Sequence, residues 1–110
     1  MPDFPITRRH KYGAVPTIVD GIRFASKREA KRYGELKILA QSREIFELRM
    51  QWKFPLHTID NKKVSSYIAD FVYLENGKLV VEDVKGVRTP LYRLKRKWLK
   101  AEYGIVVKET

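Results

Sequence analysis

Hydrophobic and polar positions alternate most clearly in the middle of the chain. The segments Tyr67–Leu74 and Leu79–Lys85 are rich in β-branched and aromatic residues, and Asn76-Gly77 lies between them. This dipeptide favours a two-residue hairpin turn. The pattern therefore predicts an antiparallel hairpin, and counting outward from the turn places Asp70 opposite Asp83.

Shorter apolar segments predict further strands. Residues 17–24 are expected to form a small hairpin around Asp20-Gly21, and residues 45–48 and 52–56 two more strands. Because Pro55 cannot donate a backbone hydrogen bond, the last of these strands is expected at a sheet edge.

Helix signals flank this strand-rich region. A helix is predicted from Ser26 to about Gln41, and a second begins with Thr89 as its cap and Pro90 in its first turn. Gly104 suits the left-handed position that ends a helix, and residues 105–108 predict a last strand. The order helix, strands, helix, strand predicts an α/β fold with a mixed central sheet flanked by helices.

Composition limits the classes of protein that this chain can represent. Its 110 residues fit one domain, and a hydrophobic fraction of 44% is enough for one core. Cysteine is absent, which excludes disulfides, thiolate metal sites and cysteine nucleophiles. No apolar run approaches the ~20 residues that span a bilayer, and the N-terminal residues lack the apolar core of a signal peptide. We therefore expect a soluble, cytoplasmic protein with no membrane partner.

The chain is strongly basic, with 23 Lys+Arg against 13 Asp+Glu and a net charge of +10. Such a charge on a small domain favours a polyanionic partner, above all nucleic acid, whereas the alternative is a solvated basic surface. Residues 1–16 contain three prolines and the cluster Arg8, Arg9 and Lys11. They predict an extended basic arm in front of a single domain at residues 17–110.

The predicted central hairpin brings two carboxylates together on an apolar face. Asp70 and Asp83 would face each other at close range on a face shared with apolar residues, namely Ile68, Val72, Leu74, Leu79 and Val81. Like charges placed in this way require compensation, either by a divalent cation or by a shared proton.

Alternation along the same strand assigns the neighbouring charges. Lys85 falls on the face of Asp83, while Glu82 points to the opposite face or outward. The opposite face is also apolar, with Tyr67, Ala69, Phe71 and Val80. Lys85 is then either a functional cation beside the two acids or a strand-end lysine that pairs with an acid.

A third acid lies on the apolar side of the first helix. At ~100° per residue, Glu29 aligns with Tyr33 and Leu36, the stripe that should face the core. Two interpretations stay open: Glu29 belongs to a site, or it closes a capping box with Ser26 by bonding to the Ser26 backbone.

These residues resemble the PD-(D/E)XK nuclease superfamily. Glu29 in SKREAKRY, Asp70 in YIADF and Asp83-Val84-Lys85 in VVEDVKG match its motif positions in the right order. The block SYIADFVYLENGKLVVEDVKG is similar to phage endonuclease I-type Holliday junction resolvases, and residues 17–108 resemble a group of small phage-encoded endonucleases. Two departures are Ala69, where a proline often stands, and Asp83, where glutamate is commoner.

The resemblance implies a restriction-endonuclease-like core (helix, three strands, helix, strand) and a Mg²⁺-dependent DNA endonuclease, with Mn²⁺ able to substitute. Asp70 and Asp83 would hold the metal, the Val84 carbonyl would complete the site, and Glu29 would contribute directly or through water. Lys85 would orient the attacking water or stabilise charge in the transition state. The implied enzyme is a homodimer acting on branched or Holliday-junction DNA in phage recombination or genome processing. The alternatives are a nicking or transposition-type endonuclease of the same fold and a non-catalytic basic DNA-binding protein.

Basic residues outside the motif are candidate DNA contacts. The second helix is expected to pack on the sheet through an apolar stripe of Leu91, Leu94, Trp98 and Ala101. The opposite stripe is basic, and it consists of Arg93, Arg96, Lys97 and Lys100. Arg88, just after Lys85-Gly86, and the arm residues Arg8, Arg9 and Lys11 complete the predicted DNA-binding set. Because no base-reading motif is present, recognition is expected to rest on backbone and shape.

Overall fold

A computed structural model of the protein describes residues 15–110. Within this range the chain forms strands and helices in the following order: β1 (Thr17–Val19), β2 (Ile22–Phe24), α1 (Lys27–Gln41), β3 (Phe46–His57), β4 (Lys63–Glu75), β5 (Lys78–Asp83), α2 (Pro90–Tyr103) and β6 (Lys108–Glu109).

The main sheet has the strand order β3-β4-β5-β6. The first three strands pair antiparallel, whereas β6 pairs parallel to β5 after the chain has crossed over through α2. Strands β1 and β2 form a separate hairpin. The predicted α/β class, with a mixed sheet and two helices, is therefore confirmed.

Both predicted hairpin turns are present with the expected backbone. Asn76 and Gly77 have φ angles of +53° and +76°, and Asp20 and Gly21 have +54° and +75°. Two consecutive left-handed residues match the twist of antiparallel strands, which is why these dipeptides define the turns. From the Asn76-Gly77 turn, the β4–β5 register runs as predicted from Glu75↔Lys78 to Phe71↔Glu82.

The helix caps are also confirmed. Ser26 accepts a hydrogen bond from the N–H of Glu29, and Thr89 accepts one from the N–H of Tyr92. Gly104 ends α2 with a φ of +72°.

Four strand predictions are wrong in their bounds. The two predicted strands at residues 45–48 and 52–56 are merged in the single strand β3, which begins at Phe46, because the 13-residue β4 offers pairing partners along its length. The last strand covers only Lys108 and Glu109, and β5 ends at Asp83, so that Lys85 lies beyond it. The prediction of an edge position for Pro55 is confirmed, since β3 is the outer strand.

Each helix covers its own apolar cluster. The α1 cluster contains Phe24, Ala30, Tyr33, Leu36, Ile45, Phe71 and Tyr73. The α2 cluster contains Phe54, Leu56, Tyr67, Ala69, Val72, Val81, Leu99 and Val107. Within residues 15–110, neither helix has the length and apolar character needed to cross a membrane.

The predicted apolar stripe of α2 is wrong for Leu91, Leu94 and Ala101, which are exposed, whereas Trp98 packs against the α2 cluster as predicted. Leu91 and Leu94 are 60% and 55% exposed, whereas Leu99 is completely buried. The helix is rotated because Tyr92 and Arg96 both bond to the carboxylate of Glu109 on β6. Arg96 consequently leaves the outward basic stripe in which it was predicted.

Candidate metal centre

At Asp70 the alternation of side chains along β4 is interrupted, so that residues on either side of it pack against different helices. Ala69 packs in the α2 cluster and Phe71 in the α1 cluster, although regular alternation would place both on one side. Pairing with β3 omits Asp70 and the residue opposite, Gln51, whose φ is +52°. The prediction that Tyr67 and Ala69 share a face with Phe71 is therefore wrong, and the irregularity coincides with a candidate ligand.

Backbone N–H groups at the ends of β4 and β5 position the carboxylates of Asp70 and Asp83. The N–H of Asp70 donates to Oδ1 of Asp83 at 2.9 Å, and the N–H of Val84 donates to Oδ2 of Asp70 at 2.9 Å. Backbone pairing between β4 and β5 ends at Phe71↔Glu82, one position before these aspartates. The two carboxylates are thus adjacent, but they are fixed by N–H donors rather than by facing across the ladder.

Asp83 is the most deeply buried acid of the pair. Its side chain is 0% exposed, and its Oδ2 atom has no hydrogen-bond partner within residues 15–110. Burial raises its pKa to about 6, although the Asp70 N–H and the charge of Lys85 oppose the shift. A buried carboxylate oxygen without a donor is destabilising unless a cation or a proton compensates it.

Glu29 reaches the same region from the first turn of α1. It is only 6% exposed, and burial, followed by the negative charge of Asp70, raises its pKa to about 7. Its backbone N–H donates to the side-chain oxygen of Ser26, as predicted for the helix cap. In the described part of the chain, however, its carboxylate makes no bond to the Ser26 N–H, so the capping box is only half formed.

Burial also raises the pKa of Asp70, with the Val84 N–H and Lys85 acting in the opposite direction. Lys85, beyond the end of β5, lowers the pKa of all three carboxyls against the larger effect of burial. The structure therefore brings together Glu29, Asp70, Asp83 and Lys85, which are up to 56 positions apart (85 − 29) in the sequence.

Glu82 lies on the other side of the sheet, as alternation predicts, but it does not point outward. It is 0% exposed and accepts hydrogen bonds from Arg32 at 2.6 and 2.9 Å and from Tyr73 at 2.7 Å. Burial alone would raise its pKa, but these donors outweigh that effect and leave the pKa below its usual value. Glu82 is a structural anion and no part of the acidic cluster.

Two cavities open at the cluster. The main cavity, of about 590 Å³, lies between the N-termini of both helices and is bordered by Glu29, Asp70, Val84 and Lys85. A smaller cavity of about 230 Å³ is bordered by Asp83 and by Tyr67, whose buried hydroxyl also lacks a partner among the described residues. Lys85, Thr89 and Tyr92 border both cavities.

The donor set suits a hard divalent cation. All candidate side-chain ligands are carboxylates, and Oδ2 of Asp83 is buried without a donor. No three His, Asp or Glu side chains between residues 15 and 110 are grouped closely enough to hold a metal by themselves. Mg²⁺ is usually held by one or two carboxylates and keeps several waters, so two aspartates and a backbone carbonyl are a sufficient set.

Those predicted DNA-binding residues that the structure describes have two different environments. Arg93, Lys97 and Lys100 are exposed on α2 as predicted. Arg88 and Arg96 are paired with Glu109. The arm residues Arg8, Arg9 and Lys11 lie outside the described residues.

Sequence reasoning missed three residues at the main cavity. Lys27 and Arg28 border it, and their place in the same helical turn as Glu29 was the available signal. Tyr92 also borders it, but no sequence pattern separated this residue from an ordinary core aromatic.

Comparison with known proteins identifies a family to which the chain is similar. A family model described as "Protein of unknown function (DUF1064)" matches residues 9–109. No curated protein and no solved structure matches the chain.

Proposed function

Because the chain belongs to the DUF1064 family, which has no known function, we propose an activity from the site itself: Mg²⁺-dependent endonucleolytic hydrolysis of DNA. The observation that carries the proposal is the buried acidic cluster. Glu29, Asp70 and Asp83 converge beside Lys85, and the innermost carboxylate keeps one oxygen without a donor.

The energetics of the cluster favour a bound cation. The pKa of Glu29 is raised to about 7 and that of Asp83 to about 6, so ionising the cluster near neutral pH opposes folding. The buried Oδ2 of Asp83 has no donor among the described residues, and Glu29 lies close enough to feel the negative charges of Asp70 and Asp83. A divalent cation relieves both their burial and their mutual repulsion, whereas a shared proton relieves only part of it.

The surroundings favour a phosphodiester substrate. Lys27 and Arg28 border the main cavity, and the protein carries a net charge of +10. Bound at the cluster, Mg²⁺ would polarise a phosphoryl oxygen and lower the pKa of a water molecule. Lys85 would supply a positive charge where negative charge develops during hydrolysis.

The fold supports the same proposal. The chain order α1, β3–β5, α2, β6 is the order of helix, three strands, helix and strand that the resemblance to PD-(D/E)XK nucleases implies. On this basis we extend the proposal to a restriction-endonuclease-like core acting as a homodimer on branched DNA such as a Holliday junction.

The test is cleavage of a DNA panel by the full chain, with four-way junctions, flaps and linear duplexes, in Mg²⁺, Mn²⁺ or EDTA. Asp83→Asn removes one charge while keeping the acceptor for the Asp70 N–H, and Asp60→Asn makes the same change in an exposed loop. We expect metal-dependent cleavage that Asp83→Asn reduces at least about a hundredfold, in line with loss of a metal's charge stabilisation, and that Asp60→Asn leaves intact. DNA binding without cleavage of any substrate would instead support a non-catalytic DNA-binding protein.

A further inference from the structure

The ammonium group of Lys85 has an aromatic support. Its Nζ lies 4.2 Å from the centroid of the Tyr92 ring, well inside the range of cation–π attraction. Within the described residues, this ammonium forms no ion pair with a carboxylate, even though three acids lie in the same cluster. The contact with Tyr92 therefore fixes its position beside the acids.

Tyr92 is itself fixed from the other side. Its hydroxyl donates to Oε2 of Glu109 at 2.7 Å, and the Arg96 guanidinium lies 5.6 Å from its ring centroid. Glu109 is the β6 residue that pairs with Asp83 in the parallel ladder. The ring is thereby tied to the strand that neighbours the buried aspartate.

From these contacts we infer that Tyr92, anchored by Glu109, is a positioning residue that holds Lys85 at the acidic cluster without an ion pair to any acid. A lysine side chain without such a support would pair directly with a carboxylate or turn into solvent. Either change would remove the positive charge from its working position, and the first would also occupy a candidate metal ligand. The effect on catalysis rests on the proposed function. The placement of Lys85 by Tyr92 rests on the contacts alone.

Two substitutions distinguish the role of the Tyr92 ring from the role of its hydroxyl. Tyr92→Phe keeps the face under Lys85 and loses only the bond to Glu109, while Tyr92→Leu removes the face. Leu94→Ala is a matched control, because Leu94 is an exposed apolar residue of the same helix.

The position of the Lys85 side chain over the Tyr92 ring is measured by NMR in the metal-free protein. The Lys85 Cε protons should resonate upfield of those of Lys97 in the wild type and in Tyr92→Phe, because they are bonded next to the Nζ that lies over the ring. Tyr92→Leu should abolish this shift while leaving the resonances of the α1 cluster, which Tyr92 does not contact, in place. A shift that is absent from the wild type, or that persists in Tyr92→Leu, would overturn the inference.

The effect of the Tyr92 substitutions on catalysis is measured by the kinetics of DNA cleavage. Loss of a cation–π contact corresponds to a fall in kcat of about 3- to 30-fold in Tyr92→Leu, with KM within about twofold. Tyr92→Phe should recover most of the rate, and Leu94→Ala should match the wild type. An unchanged or raised kcat in Tyr92→Leu would contradict the positioning role. If the wild type cleaves nothing, the proposed function fails, and the placement of Lys85 by Tyr92 is then decided by the NMR shift alone.

Discussion

The backbone N–H of Asp70 donates a 2.9 Å hydrogen bond to the carboxylate of Asp83. This bond occupies one oxygen of Asp83 and leaves the other buried without a partner within residues 15–110. The donor becomes available because backbone pairing between β4 and β5 ends one residue earlier, at Phe71↔Glu82. The end of the strand ladder thus orients the Asp83 carboxylate through one oxygen and leaves the other oxygen without a donor among the described residues.

The first prediction concerns the pH dependence of stability. Glu29 has a pKa of about 7 in the folded protein and 4.5 as its ordinary value, so the unfolded chain releases this proton at lower pH. The free energy of unfolding therefore falls as pH rises from about 4.5 to about 7, and the loss is complete above that range. We expect Glu29→Gln to be more stable than the wild type by about 1–3 kcal/mol at pH 8 in EDTA, and to lose that advantage near pH 4.5.

Urea unfolding at both pH values measures this difference. Glu44→Gln, in the exposed turn after α1, is the matched control and should change stability equally at both. A Glu29→Gln advantage that does not depend on pH would contradict the assignment of a raised pKa to Glu29.

A second prediction concerns the buried ion pair on the other side of the sheet. Arg32→Ala leaves Glu82 buried and charged with only hydroxyl donors, and we expect it to lower the free energy of unfolding by about 3–5 kcal/mol. Arg49→Ala removes an exposed pair with Glu47 and should cost about 0–1 kcal/mol. Equal effects of the two substitutions in thermal unfolding would show that the Arg32–Glu82 pair does not hold the sheet to α1.

A third prediction uses two glycines that have open space around them. Gly77 has a φ of +76°, so Gly77→Ala should destabilise the central hairpin by about 1 kcal/mol through backbone strain alone. Gly34 is inside α1, and Gly34→Ala should stabilise the protein by about 0.5–1 kcal/mol. Chemical denaturation should give opposite signs, and effects of the same sign would contradict the assigned turn.

A fourth prediction concerns DNA affinity. If exposed Arg93 and Lys97 contact phosphates, replacing both with alanine should reduce the slope of log K against log salt by about two units. Lys78→Ala, at the turn between β4 and β5, should leave that slope unchanged. An unchanged slope in the double variant would mean that this face of α2 does not contact phosphates.

Local signals in the sequence predicted much of the fold. The Asn76-Gly77 turn determined the hairpin register, and the caps at Ser26, Thr89 and Gly104 determined the helix ends. These features depend on only a few neighbouring residues, so a sequence pattern is enough to find them.

Features that depend on distant residues were not predictable in the same way. The rotation of α2 follows from Glu109 on β6, whose carboxylate accepts hydrogen bonds from both Tyr92 and Arg96. The burial of Glu82 depends on Arg32, 50 positions away. The change of face at Asp70 lies opposite Gln51 of the neighbouring strand, whose backbone is left-handed. In each case a partner distant in sequence outweighed the local alternation.

In the proposed function, Asp70 and Asp83 together bind a divalent cation. Isothermal titration calorimetry of Mn²⁺ and of Mg²⁺ into the metal-free protein at pH 8 tests it most directly, with Asp70→Asn and Asp83→Asn as variants and Asp60→Asn as the control. We expect one site in the wild type and in Asp60→Asn, and an affinity lowered at least about tenfold in each of the other two variants, as loss of one charged ligand implies. No binding by the wild type, or equal binding by all four proteins, would contradict the claim.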